Sequence, residues 1–245
     1  MTAAFFWGLF AASSLVIGAA IALWRPPRAK LLGLVMGFGA GVLLSAVSFE
    51  LVAKAVEVSG GRGGTGLGFF SGAVVFTLGD WFISRAGYAN RKDIGGAAPE
   101  GSPLSIVLGA LLDGVPESAV LGLTLLQTGE IGLSMLIAIF ISNIPEAIAA
   151  TTGLRAGGWT TRNIYLLWGG IAAASAISAS LGYALLDGAS PHTLAFMFAF
   201  AGGAILTMLA TSMMPEAYEH AGRAVGFVTV LGFAVAFGIS WLDSM

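Results

Sequence analysis

Cysteine is absent from the 245 residues, which rules out disulfides and thiolate metal sites. Histidine occurs only at His192 and His220, so a cage of several imidazoles around zinc is excluded too. Charge is scarce: 10% of the chain is Asp, Glu, Lys or Arg, against about 25% in a soluble domain. The net charge of −2 leaves no electrostatic footprint for nucleic acid as a partner. What is plentiful is apolar surface, 57% of residues with a mean hydropathy of +0.89, so most of the exterior is expected to face a lipid bilayer. The 36 glycines suit close helix packing in such a medium.

A span takes about 20 apolar residues. Eight runs reach or approach that length, near 4–24, 31–56, 66–85, 103–126, 131–154, 163–185, 193–219 and 224–242. The expected fold class is an all-α polytopic membrane protein, with 1–245 forming one transmembrane domain. The start has no positively charged segment, so the first run is expected to be a retained helix rather than a signal peptide. Arg25, Arg28, Lys30, Arg85, Arg91, Lys92, Arg155, Arg162 and Arg223 fall at the connections from odd to even runs. Only Lys54 and Arg62 fall on the other side. The basic side is expected to be cytoplasmic, placing both termini outside a cell membrane, plasma or inner. The longest connection, 86–102, is polar and rich in Gly and Pro.

Acids inside three of these runs carry the chemistry. Asp113 and Glu117 in the fourth are four apart and share a helix face, with Pro116 between them. The fifth carries Ser142, Asn143, Pro145 and Glu146, and the seventh carries Pro215 and Glu216. An acid in hydrocarbon costs roughly 2.5–3.5 kcal/mol on insertion scales. No Lys or Arg lies within the fourth or fifth run to offset it. At a rise of 1.5 Å per residue, Asp113 and Ser142 both fall near mid-membrane. Each proline frees the carbonyl four residues earlier, on Leu112, Ile141 and Thr211. Asp113, Glu117 and Glu146 are therefore expected to converge, within roughly 6 Å of one another. Ser142 and Asn143 add neutral oxygens, and a divalent cation, a proton or both balance the charge.

The remaining polar residues admit two readings each. Asp80 in the third run is as consistent with a structural role as with a pathway. Glu50 has Lys54 four residues on, so a local ion pair explains it nearly as well as transport does. Glu219 and His220, at the end of the seventh run, form either an exit station or a polar helix end. Met208, Met213 and Met214 read as packing rather than as soft ligands. A faint repeat aligns Gly41 with Gly203, Ser45 with Thr207 and Glu57 with Glu219. If runs 1–3 match runs 6–8, the triplets have opposite orientation, an inverted repeat of the kind found in secondary transporters. Runs 4 and 5 are then the central pair of a 3+2+3 arrangement.

With those motifs the chain resembles the ZIP (Zrt/Irt-like) family of divalent-metal transporters. The family carries H-N-x-P-E-G in helix 4, and patterns such as H-E-x-P-H-E or Q/H-x-x-P-E-G in helix 5. Pro116, Glu117, Pro145 and Glu146 fall on matching positions. Asp113 stands where the family has a ligand His, and Ser142 where it has His or Gln. Gly114 replaces a ligand Asn, Asn143 replaces an acid, and Glu216 resembles an acid near the inner exit. The resemblance implies a non-enzymatic carrier with no prosthetic group and a divalent metal ion as substrate, taken up by alternating access; a homodimer is left open. All-oxygen ligation turns the expectation toward Mn²⁺ or Fe²⁺, with zinc still reachable through carboxylates. The alternatives are a ZIP-like membrane protein that serves as scaffold or sensor without transport, and a carrier of another cationic solute.

Overall fold

The structure, a computed structural model, describes residues 1–61, 64–83, 85 and 103–243. The Gly/Pro-rich connection at 86–102 lies outside them, as does Arg62. Among the described residues there is no strand, and eight helices are long and apolar enough to cross a membrane. They are α1 (Thr2–Trp24), α2 (Ala29–Ser59), α3 (Thr65–Ile83), α4 (Pro103–Thr128), α5 (Leu133–Ala156), α6 (Thr161–Leu186), α7 (Pro191–Ala221) and α8 (Ala224–Asp243). The chain is a multi-pass membrane protein, and its helices match the eight expected runs to within a few residues. In lipid the backbone must satisfy its own hydrogen bonds, and helices do so within each span.

Local chemistry sets several helix ends. The Thr160 hydroxyl accepts from the Asn163 amide at 3.3 Å to start α6. The Ser190 hydroxyl accepts from the Thr193 amide at 3.2 Å to start α7, where Pro191 takes the first position and gives up an amide that would have no helical partner. The short turn from α4 to α5 passes through Gly129 at φ +75°, a left-handed conformation that glycine reaches without steric cost.

The bundle has an inside and an outside. In α5 72% of the spanning window is buried, against 17% in α3 and in α8, which form the lipid-facing flanks. The strongest packing is α2 on α8, α3 on α7, α4 on α6, and α1 on both α5 and α6. Glycines permit the tightest of these contacts. A Cβ on Gly41 would strike the Thr229 carbonyl of α8, and one on Gly232 the Phe38 carbonyl of α2. The same reciprocal device joins α3 to α7, where Gly203 faces the Phe69 carbonyl and Gly72 the Phe200 carbonyl.

Two spans depart from α geometry. Val47–Val52 within α2 and Leu209–Met213 within α7 are wound as π-helix. The register that aligns Gly41 with Gly203 also aligns Val47 with Leu209, so the irregular turns fall at matching places in the two helices. A π turn widens the backbone and is frequent at functional sites. In α7 it immediately precedes the turn carrying Pro215, whose ring would otherwise crowd the preceding carbonyls.

Candidate functional site

On α4, Asp113 and Glu117 sit one turn apart at 3% and 2% exposure. Gly114 and Ser118 are buried beside them, whereas Val115 is exposed, so this helix turns its acidic face into the bundle. Pro116 lies within the helix. The neighbour that holds this turn is α6. The Ser178 hydroxyl donates to the Val115 carbonyl at 2.8 Å, and the Ser175 hydroxyl lies 3.6 Å from where a Cβ on Gly114 would stand. Ser175 and Ser178 are themselves buried. α6 has no acid, and what it brings to this turn is hydroxyls. Their i, i+3 spacing on a small-residue face was the available signal.

On α5, Ser142 and Asn143 are buried at 1% and 5% exposure, and Glu146 is half-buried. The Ser142 hydroxyl donates to the Ile139 carbonyl at 3.1 Å, which leaves its oxygen lone pairs for another partner. Two glycines let neighbouring helices close on this turn. A Cβ on Gly18 of α1 would lie 2.6 Å from the Ile144 carbonyl, and one on Gly39 of α2 would lie 3.3 Å from Ser142 Cα. Met213 Cε, from the π turn of α7, lies 3.2 Å from that same Gly39 position. Met213 is wholly buried, as a packing residue should be.

The two acidic turns are held by different neighbours. α4 leans on α6, while α5 leans on α1 and α2, and α4 and α5 touch each other little. Among the described residues no group of three or more His, Asp and Glu stands where it could hold a metal ion. The arrangement thus offers a buried carboxylate pair on α4, neutral oxygens on α5 and α6, and a third acid, Glu146, that is not gathered into a three-carboxylate cage. Two anionic oxygen donors with hydroxyl and amide oxygens suit a hard divalent cation.

The outlying polar residues sort as follows. Glu50 is half-buried in the π turn of α2 and accepts from the Ser240 hydroxyl of α8 at 2.8 Å. Lys54 pairs with Glu57, Nζ to Oε2 at 3.0 Å, and not with Glu50, so of the two readings of Glu50 the local ion pair is the one set aside. At three residues' separation on an exposed turn, Glu57 is as accessible to Lys54 as Glu50 is, and only Glu50 has a donor from another helix. Asp80 is half-buried towards the end of α3. Glu216 is half-buried, Glu219 is exposed, and His220 Nδ1 lies 3.0 Å from the Glu216 carbonyl. Ser45, aligned with Thr207, is fully buried with no hydrogen-bond partner for its hydroxyl, whereas Thr207 donates to the Gly203 carbonyl at 2.8 Å.

No family model matches the chain. Over 192 residues, 77% of its length, it is 28% identical to a protein of Arabidopsis thaliana provisionally named the zinc transporter At3g08650. Over 83 residues, 34% of its length, it is 39% identical to zinc transporter ZIP11 of Homo sapiens. Both relatives are named as zinc transporters. The matched stretches cover 30% and 23% of those proteins, so the chain spans about a third or less of either relative.

Proposed function

We propose that this chain carries a divalent metal ion across its membrane, inward and by alternating access, as a ZIP-like transporter. The observation that carries the reading is the Asp113–Glu117 pair, almost fully buried on one face of a spanning helix. Two carboxylates at that depth need a compensating positive charge, and a cation in transit supplies it. Ser142 and Asn143 of α5, with Glu146 brought in by a shift of α5 relative to α4, complete the ligand set. Such a shift is compatible with the light contact between the two helices. Glu50 towards the outer side of this pair, and Asp80, Glu216, Glu219 and His220 towards the cytoplasmic side, are the polar residues proposed to line the rest of the route. The matching π turns and the reciprocal glycine contacts support reading α1–α3 and α6–α8 as an inverted repeat around α4 and α5, with both termini outside.

Zinc is the substrate that the relatives' names support, whereas the oxygen-only donor set favours manganese or iron(II). Uptake by purified protein in proteoliposomes, over a panel of divalent ions, tests the proposal. The scaffold or sensor reading draws on one observation, the lack of a ready three-acid group among the described residues. Under that reading the same vesicles show no uptake above empty ones.

A further inference from the structure

A cavity of about 410 Å³ opens between the last turn of α1 and the last turn of α5, lined by Ala22, Leu23, Pro26, Thr152, Arg155 and Ala156. Its composition is divided. Ala22, Leu23, Pro26 and Ala156 form an apolar wall, and the guanidinium of Arg155 and the hydroxyl of Thr152 are its polar side-chain groups. Arg155 Nη1 lies 3.5 Å from the Leu23 carbonyl, which leaves most of the five guanidinium N–H donors unused. Thr152 donates to the Ile148 carbonyl at 2.8 Å, which leaves its oxygen free to accept.

The level of the cavity in the membrane is marked independently. Trp24, beside the lining residue Leu23, is 92% exposed at the end of a spanning helix, the position of an interfacial aromatic residue. The segments that follow and flank the lining are basic. Arg25, Arg28 and Lys30 follow Trp24 and are exposed, and Arg162 is exposed in the first turn of α6. Residues 1–49 and 147–186, which supply every wall of the cavity, contain no Asp or Glu.

A cation over an apolar wall, at the headgroup level of a bilayer and beside a run of exposed basic residues, matches the chemistry of an anionic glycerophospholipid. We propose that this cavity is a site for such a lipid, its phosphate on Arg155 and its glycerol and upper acyl carbons over Ala22, Leu23 and Ala156. Basic pockets between transmembrane helices bind lipid headgroups in this manner. The carbonyl ends of α1 and α5 point the same way and disfavour an anion, so the attraction rests on the arginines. A free phosphate ion would use Arg155 but gain nothing from the apolar wall, so the lipid is the occupant assigned. The inference is independent of what the chain transports.

The test is native mass spectrometry of the full chain in detergent, titrated with phosphatidylglycerol, with phosphatidylcholine and with inorganic phosphate. Wild-type protein is expected to retain phosphatidylglycerol in preference to phosphatidylcholine, and millimolar phosphate is expected not to displace it. Arg155→Gln should lower the phosphatidylglycerol adduct roughly five-fold, the effect of losing about one interfacial cation. Arg155→Lys should keep most of it, and Arg162→Gln, which lies outside the lining, should lower it less than Arg155→Gln does. Equal retention of the two lipids by wild-type protein overturns the proposal without recourse to any variant. So does an undiminished adduct in Arg155→Gln, and displacement by inorganic phosphate would reassign the cavity to a free anion.

Discussion

The Ser240 hydroxyl of α8 donates to the Glu50 carboxylate of α2 at 2.8 Å, and this bond ties the π turn of an inner helix to a flanking, lipid-exposed one. A hydrogen bond to a charged group is worth about 1.5–3 kcal/mol in water-soluble proteins and nearer 1 kcal/mol between membrane helices. Ser240→Ala should therefore lower the thermal stability of the detergent-solubilised protein by about that smaller amount and slow metal uptake several-fold. Lys54→Ala removes only the exposed contact with Glu57 and should change neither. A larger effect from Lys54→Ala than from Ser240→Ala would restore the local ion pair as the explanation of Glu50.

Asp113→Asn and Glu117→Gln keep shape and remove charge at positions that are 3% and 2% exposed. Each should weaken metal binding by roughly ten- to a hundred-fold, the range seen when a group supporting a metal site is lost. Helix content by circular dichroism should be retained. Glu146→Gln, at a half-buried position, should cost less in binding measured under equilibrium conditions. A loss of folding rather than of binding in all three variants would assign the acids a structural role.

Protons should compete with the metal. Carboxylates bind a cation in their deprotonated form, so protons and metal exclude each other and the apparent affinity should fall as the pH is lowered. By the same linkage, metal binding should release protons. Calorimetry in buffers of different ionisation enthalpy reads that release directly, and Glu146→Gln should reduce it by removing one titrating partner. Heat that is the same in every buffer would show that no proton leaves.

Glycines that carry helix contacts should be distinguishable from those that do not. Gly41→Ala would place a Cβ against the Thr229 carbonyl, and overpacking of this kind costs about 1–3 kcal/mol. Gly226→Ala, also within a span, meets nothing within 4 Å and should be neutral or mildly stabilising, because alanine favours helix by up to about 1 kcal/mol. Thermal melts of the two variants in the same detergent check the contrast.

The spans were legible because lipid imposes one rule on composition, and Asp113, Glu117, Ser142 and Asn143 stood out because polar atoms in an apolar run need a reason. Their burial follows from the same rule. The π turns were not legible: Val47–Val52 has no proline or glycine to announce it, and its partners, α7 and the Ser240, Phe233 and Phe237 side chains of α8, lie far away in sequence. The short connection fixes where α4 and α5 join, while α4 packs chiefly on α6 and α5 on α1 and α2, with Ser178 bonded to Val115 and Gly18 close against Ile144. For Glu50, i, i+4 spacing offered Lys54, and a hydroxyl 190 residues away provided the hydrogen bond instead.

Asp113 and Glu117, both almost fully buried, are proposed to hold a divalent ion in transit. The most direct test is initial uptake into proteoliposomes of Zn²⁺, Mn²⁺, Fe²⁺ and Mg²⁺, by wild-type protein and by the double variant Asp113→Asn, Glu117→Gln. Saturable uptake of at least one transition-metal ion by the wild type, reduced to the level of empty vesicles in the folded double variant, is the result predicted. Wild-type vesicles that take up none of these ions, or a folded double variant that transports as well as the wild type, would contradict it.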